Sequence, residues 1–272
     1  MGTGPLRGLK VVDISGAVAG PWVSSHLAEQ GADVILIEKV GVPDVMRVTG
    51  ALVGDQSGSW VQMHRNKRGL DLDIRTETGC SILKQLVSTA DVFIQNFRPG
   101  VAERLAVGYE DLKLLNPELI YLSVSGFGPD GPYSDRPVYD PIIQAMSGMT
   151  EAQNGTYVKA VVADKTAAMT GVNAVLSALW ARSNGVGGQH VEINLMDCML
   201  HWMWLEVFWN EAVPDAEPTP TYSDWYEPWG TSDGQIAANW VNYEQYKGAC
   251  RVLGRPELAD DPRFATRDAR LK

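Results

Sequence analysis

Between residues 9 and 37 the sequence packs an apolar run, a glycine-bearing turn, a helical stretch and a second apolar run into a short span. Residues 9–14 end in Ser15-Gly16. Gly20-Pro21 then opens a helix through Leu27 and Ala28 that closes at Gly31, and residues 33–37 are apolar again. Apolar runs this short, without alternation, read as strands buried on both faces. Strand, helix and strand in that order form a βαβ unit, which requires parallel pairing through a crossover. The pattern recurs as helix 78–86, strand 92–94, helix 109–115 ahead of Asn116-Pro117, strand 119–124, helix 166–181 and strand 191–195. The expected fold class is α/β, a doubly wound, mostly parallel, Rossmann-like sheet. Its ligand belongs at the carboxyl ends of the strands, beside a switch point in their order.

The character changes after Trp209. Pro214, Pro218 and Pro220 stand among acidic residues and mark an exposed connection. Residues 231–236 read as a hairpin turn entering a strand, and 243–253 as a helix stopped by Gly254. The expected layout is a large α/β domain over 1–210, a linker over 211–222 and the start of a smaller α+β domain over 223–272. That second domain reads as partial, because residues 260–272 are charged and supply no closing apolar element. The run 198–209, interrupted by His201 and Glu206, reads as a buried helix and falls short of a membrane span.

Charge and cysteine usage bound the partners. A formal net charge of −10 over 272 residues speaks against nucleic acid, whose phosphates demand clustered Lys and Arg. No leader-like charged and apolar N-terminal pattern is present, and no membrane partner is expected. Cys80, Cys198 and Cys250 are odd in number and widely separated, so a reducing cytoplasm is expected and no disulfide framework. Neither these cysteines nor the four scattered histidines have ligand spacing, and no metal site is expected.

Three segments carry chemistry. Asp164 stands at the mouth of a helix rich in Ala, Thr and Gly. The ordinary reading of such a residue is an N-cap. The small residues behind it also permit close approach of another surface, which would turn the carboxylate towards a crevice and make it a nucleophile towards an activated carbonyl. Asn96-Phe97-Arg98-Pro99-Gly100, with Arg104 a turn later, follows a strand directly and offers an amide, an aromatic face and cations suited to a nucleotide. A solvated turn is the equal alternative at that point. Arg65-Asn66-Lys67-Arg68, a basic stretch entering a strand, reads by itself as a solvated loop. The first turn, Ser15-Gly16-Ala17-Val18-Ala19-Gly20-Pro21, is not G-x-G-x-x-G. A nicotinamide cofactor is therefore disfavoured even with Glu38 in the ribose-binding place.

Taken in register, these segments resemble the class III CoA-transferases, the family of formyl-CoA transferase, carnitine CoA-transferase and the α-methylacyl-CoA racemases. The matching stretches are 9–38 with Ala19-Gly20-Pro21 and Gly31-Ala32-Asp33-Val34, Asn66-Lys67-Arg68, Asn96 to Gly100, Ser125-Gly126-Phe127-Gly128, and 164–196. The resemblance implies that Asp164 is the acyl-accepting aspartate. It implies that Asn96, Phe97, Arg98 and Arg104 line the CoA nucleotide site with Lys39 and Leu72 nearby, and that Val138 and Tyr139 lie beside the pantetheine arm. It further implies an interlocked homodimer closed by a long C-terminal segment, before which this sequence stops; a separate C-terminal half is then a possible partner. The implied substrates are coenzyme A or an acyl-CoA and a small carboxylic acid, with no permanently bound cofactor.

The implied activity is CoA transfer through an aspartyl anhydride and an aspartyl-CoA thioester. Two departures refine it. Val18 replaces a glutamine of formyl-CoA transferase, and no glycine run occurs within residues 223–234, so formyl specificity is not expected. Tyr139-Asp140 replaces the histidine-aspartate pair of the racemase branch, and a phenol is a poorer partner for an α-proton than an imidazole. Epimerase chemistry and a non-catalytic or split CoA-binding subunit remain the alternatives. Trp202, Trp204, Trp209, Trp225, Trp229 and Trp240 read chiefly as packing residues; Trp225 and Trp229 are the candidates for an aromatic wall around a cationic acid.

Overall fold

Five apolar runs and the basic segment after Asn66 become one parallel sheet in the computed structural model, which describes residues 3–219, 221, 226, 228–266 and 269–270. The strands are β1 (Lys10–Asp13), β2 (Asp33–Glu38), β3 (Lys67–Asp71), β4 (Val92–Gln95), β5 (Ile120–Ser125) and β6 (Gln189–Asn194). Their order is β3-β2-β1-β4-β5-β6, and every neighbouring pair is parallel. The order runs outward in both directions from the β1–β4 pair, so the loops leaving these two strands diverge and open a crevice at their carboxyl ends. The doubly wound expectation holds.

The helices are α1 (Ala19–Glu29), α2 (Gly58–His64), α3 (Glu77–Val87), α4 (Val101–Arg104), α5 (Tyr109–Lys113), α6 (Asp140–Met146), α7 (Met149–Ala152), α8 (Val162–Ser183), α9 (Leu195–Trp202), α10 (Trp204–Val207) and α11 (Tyr243–Val252). Leu83 and Val87 of α3, with Leu112 of α5, cover one sheet face over Val12, Phe93 and Tyr121. On α8 the buried positions are mostly small: Ala163, Ala167, Ala168, Gly171 and Ala178, with Val172 and Val175. A β-carbon at Gly171 would stand 2.9 Å from the Ile193 side chain and 3.0 Å from that of Val23, so the absence of a side chain there eases the close packing of α8 on α1 and β6. That close approach brings the start of α8 to the switch point.

The basic segment 65–72 departs from its expected solvated state at one residue. Arg68 does pair with Asp33 on the exposed edge, but the Lys67 side chain is 1% exposed, its ammonium 3.6 Å from the fully buried Asp13 carboxylate. Lys67 also donates to the Pro21 carbonyl at 2.7 Å and lies 3.2 Å from His64 Nδ1. Asp13 in turn accepts from the Ser15 amide at 2.9 Å and from the hydroxyls of Ser15 and Ser24. A buried carboxylate demands such partners, and the cation nearest in the sheet supplies one. Burial lowers the Lys67 pKa to about 8, with Asp13 opposing the fall, so the ammonium keeps its proton at neutral pH. Burial, with Lys67 and Arg47 nearby, lowers His64 to about 3 and keeps it neutral.

The chain divides into two compact units, Met1–Ser147 with Tyr157–Trp202 and Gly148–Thr156 with Met203–Lys272. The helix expected over 198–209 ends at Trp202 and a short α10 follows. Cys198, Met199 and Met203 are buried, whereas Trp202, Trp204 and Leu205 are 53–57% exposed. In the second unit Trp229–Gly230 pairs with Gln235–Ile236 as the expected hairpin. Asn242 and Gln245 form a capping box at α11, and Gly254 follows the helix at φ +70°. Tyr246, Cys250 and Ala259 make its small core with Trp240, Leu258 and Phe264. Trp229 packs 5.0 Å from Trp240 and donates its indole N–H to Ala238, which commits it to the hairpin; Trp225 lies outside the described residues. No helix of the described residues is long and apolar enough to cross a membrane.

Candidate functional site

The loop leaving β1 is tied down from two directions. Asn96, at the end of β4, accepts from the Gly16 amide at 2.9 Å and donates to the Gly16 carbonyl at 2.7 Å. This reciprocal pair bridges the two strands that flank the switch point. It also consumes the Asn96 side-chain amide, so Asn96 shapes the crevice wall. Ala17 follows in the left-handed region at φ +60°, a costly conformation for a residue with a β-carbon. The helix α1 then starts at Ala19 with no side-chain cap on its first turn, leaving backbone N–H groups at the crevice.

Asp164 lies within α8. The helix begins at Val162, two residues before Asp164, and its N-cap residue Val161 makes no side-chain cap bond. The capping role belongs to Asp140 on α6, whose Oδ2 accepts from the Ala163 amide at 2.6 Å. Asp140 Oδ1 accepts from Gln144 at 2.5 Å. Gln144 also bonds the Val158 and Ala160 carbonyls and the Val158 amide, pinning the chain that enters α8. Asp140, borne on a different helix, displaces Asp164 from the cap and leaves its carboxylate facing the crevice. Burial, and after it the neighbouring Asp140 charge, raises the Asp164 pKa to about 6. A carboxylate of that basicity is still mostly ionised at neutral pH and is more nucleophilic than a solvated aspartate.

Asp164 opens on a cleft of about 220 Å³ walled by Ala17, Val18 and Ala19 from the β1 loop, by Asn96, Phe97 and Arg98 from the β4 loop, and by Val138 and Tyr139. Gly126 lets Val138 close in, since a β-carbon there would collide with it. A second, largely apolar slot of about 180 Å³ lies at the carboxyl ends of β2 and β3, and Phe97 borders both cavities. Lys39 and Leu72 line the slot. Thus Asp164, Asn96, Phe97, Arg98, Val138 and Tyr139 come together in one cavity, Lys39, Leu72 and Phe97 in the other, and Arg104 in neither. Arg104 ends α4, exposed, with Nη1 3.2 Å from where a β-carbon of Gly100 would be.

The sequence reading missed several wall residues. Ile74 and Arg75 line the slot, with Arg75 gripping Asp73 through two guanidinium bonds. Arg136 lines the Asp164 cleft and stacks 4.5 Å over Tyr133. Their signal was present: each falls in a loop leaving the carboxyl end of a strand, the place where a doubly wound sheet puts its ligand. The backbone amide immediately after Asp164 does not face the cleft as a free donor, because the Lys165 amide is bonded to the Val161 carbonyl.

Comparison with known proteins gives one consistent result. The profile described as CoA-transferase family III matches residues 6–272. An acyl-CoA transferase from Fusarium pseudograminearum is 34% identical over 99% of this chain and 63% of its own length. A succinate–glutarate CoA-transferase from Agrobacterium fabrum is 35% identical over 98% of this chain and 71% of its own. The chain therefore spans roughly two thirds of the curated relatives it matches. A crystal structure of a CAIB/BAIF family protein from Brucella suis superposes with a TM-score of 0.83 at 35% identity, over 98% of this chain and 74% of that one.

Proposed function

The chain belongs to CoA-transferase family III, and from that premise we propose that it moves coenzyme A between an acyl-CoA thioester and a small carboxylic acid, with Asp164 as the acyl acceptor. One observation carries the reading: a half-buried carboxylate, its pKa raised to about 6, faces a cleft at the switch point of the sheet. In this scheme an Asp164 oxygen attacks the thioester carbonyl, the C–S bond breaks and CoA thiolate leaves, giving an aspartyl anhydride. The thiolate attacks the Asp164 carbonyl of that anhydride, releasing the donor acid and forming an aspartyl-CoA thioester. The acceptor carboxylate attacks this thioester to form a new anhydride, and the thiolate takes the acceptor acyl group, regenerating Asp164. Each covalent intermediate divides one exchange between poor reactants into easier steps. Backbone N–H groups of Val18 and Ala19 stabilise the oxyanions.

The nucleotide occupies the slot of Lys39, Leu72, Ile74 and Phe97, and the pantetheine arm runs past Phe97, Val138 and Tyr139. Arg104 serves the phosphates from the rim. The acceptor is a dicarboxylic acid, the class named for the Agrobacterium relative. The functional unit is a homodimer. Transfer is favoured over α-proton chemistry because both Asp140 oxygens already accept hydrogen bonds and Tyr139 is 75% exposed.

The test is CoA exchange between succinyl-CoA and free dicarboxylic acids, followed across pH. Nucleophilic attack needs ionised Asp164, so the first-step rate is expected to fall as pH drops through about 6, two units above an ordinary aspartate. Deuterium wash-in at the α-carbon without an acceptor acid would replace the reading with epimerase chemistry. Tight CoA binding without any acyl-enzyme would leave only a binding subunit. Separately, Arg104→Ala is expected to weaken CoA binding by about 1.5–3 kcal/mol, the worth of a charge-assisted phosphate contact. Equal affinities by calorimetric titration remove Arg104 from the site.

A further inference from the structure

The turn after β2 reaches back to the crevice through one side chain. Asp44 Oδ2 accepts from the Ala17 amide at 2.8 Å, and Oδ1 accepts from the Met46 amide at 2.7 Å. The carboxylate sits so close over the loop that a β-carbon at Gly16 would lie 2.9 Å from it. Asp44 is itself held by a braced turn, Val45–Val48. Arg47 grips Glu38 through Nε at 2.8 Å and Nη2 at 2.5 Å and lies 3.9 Å over the Trp60 ring, while the Ser57 hydroxyl donates to the Met46 carbonyl. This anchoring fixes an acceptor above Ala17.

Ala17 is the residue that needs it. At φ +60° it adopts a conformation that alanine leaves readily unless neighbours hold it. Relaxation of Ala17 would rotate the peptides that follow, those of Val18 and Ala19, which wall the cleft with Asp164. Asn96 secures the residue before it; among the described residues Asp44 supplies the bond to the Ala17 amide.

We propose that Asp44 is a positioning residue for acyl transfer: its carboxylate holds Ala17 left-handed and thereby aims the Val18 and Ala19 amides at the oxygen that becomes negative when Asp164 is acylated. This role rests on the transfer reading above. Asp44 touches no reacting atom and acts wholly through the Ala17 backbone.

Three variants of the full chain test it: Asp44→Ala, Ala17→Gly and the double variant. Each is assayed for turnover, CoA-thioester KM, and amide hydrogen exchange over residues 16–19. Asp44→Ala is expected to lower kcat about tenfold with KM nearly unchanged, since the lost contact acts on the transition state, and to speed exchange in the loop. Glycine adopts positive φ without penalty, so adding Ala17→Gly to Asp44→Ala is expected to restore much of kcat. A merely structural Asp44 would change melting temperature but show neither the kcat-only loss nor the rescue. Unaltered kcat and loop exchange in Asp44→Ala overturn the proposal, as does a kcat loss that Ala17→Gly deepens. Absence of turnover and acyl-enzyme in the unsubstituted chain overturns the transfer reading instead, and is recognised before any variant is made.

Discussion

Asp164→Asn is expected to lose CoA transfer by on the order of 10⁴-fold or more, together with every acyl-enzyme trappable by hydroxylamine, while the chain folds normally. The carboxamide keeps the shape of the side chain but has no anionic oxygen to attack a thioester. The stability change runs the other way. Burial and Asp140 hold the Asp164 proton more tightly in the folded chain than in the unfolded one, with a folded pKa of about 6. A group whose folded carboxyl pKa is raised favours folding when protonated, and that contribution is lost as pH rises from the unfolded value through the folded one. At pH 7 the parent bears this penalty and the asparagine variant does not. Asp164→Asn should therefore melt no earlier than the parent at pH 7, with any advantage shrinking as pH is lowered towards 4. Parent-like turnover in the variant would remove Asp164 from the chemistry. A marked fall in its melting temperature at pH 7 would show that the site is not strained by this charge.

Lys67→Met should be the most destabilising single change among the charged residues, costing about 3–5 kcal/mol, because it leaves the Asp13 carboxylate buried without its cation. For a chain of this length that corresponds to a fall of about 10 °C in melting temperature. Arg68→Met, one residue on, breaks only the exposed pair with Asp33 and should cost less than about 1 kcal/mol. The contrast separates burial from charge. Combining Lys67→Met with Asp13→Asn should recover part of the loss, since the uncompensated charge is then gone. If Lys67→Met and Arg68→Met melt together, the Asp13–Lys67 pair has no structural weight. The effect should extend to activity, because Asp13 also holds Ser15 and Ser24 at the root of the loop that walls the Asp164 cleft.

Lys67 shows where sequence reading stops. Arg65-Asn66-Lys67-Arg68 is one basic stretch in sequence. Strand β3 turns Lys67 inward towards Asp13 and Arg68 outward towards Asp33. The inward residue is identified only when the strand's place in the sheet and the buried acid opposite are known. The same holds at Asp164. Its small-residue helix was legible, and so was the possibility that its carboxylate faces a crevice. Its release from capping depends on Asp140, a residue on α6 that no local pattern connects to it. Asp44 was invisible for the same reason: its bond to the Ala17 amide spans two loops.

What the sequence by itself determined is the layered architecture. Short unalternating apolar runs separated by helical stretches admit little besides a parallel sheet covered on both faces, and the expected strands recur within a residue or two in β1, β2, β4, β5 and β6. Local pattern also placed candidate residues in the loops that leave those strands. Only the tertiary structure decided which side chains those loops bring together and what charge each carries there. Strand order, set by packing between distant segments, put the β1 and β4 loops side by side. Burial then raised Asp164 and lowered Lys67. Local periodicity reports how a residue faces its own element, whereas desolvation and hydrogen bonding depend on what other elements place against it.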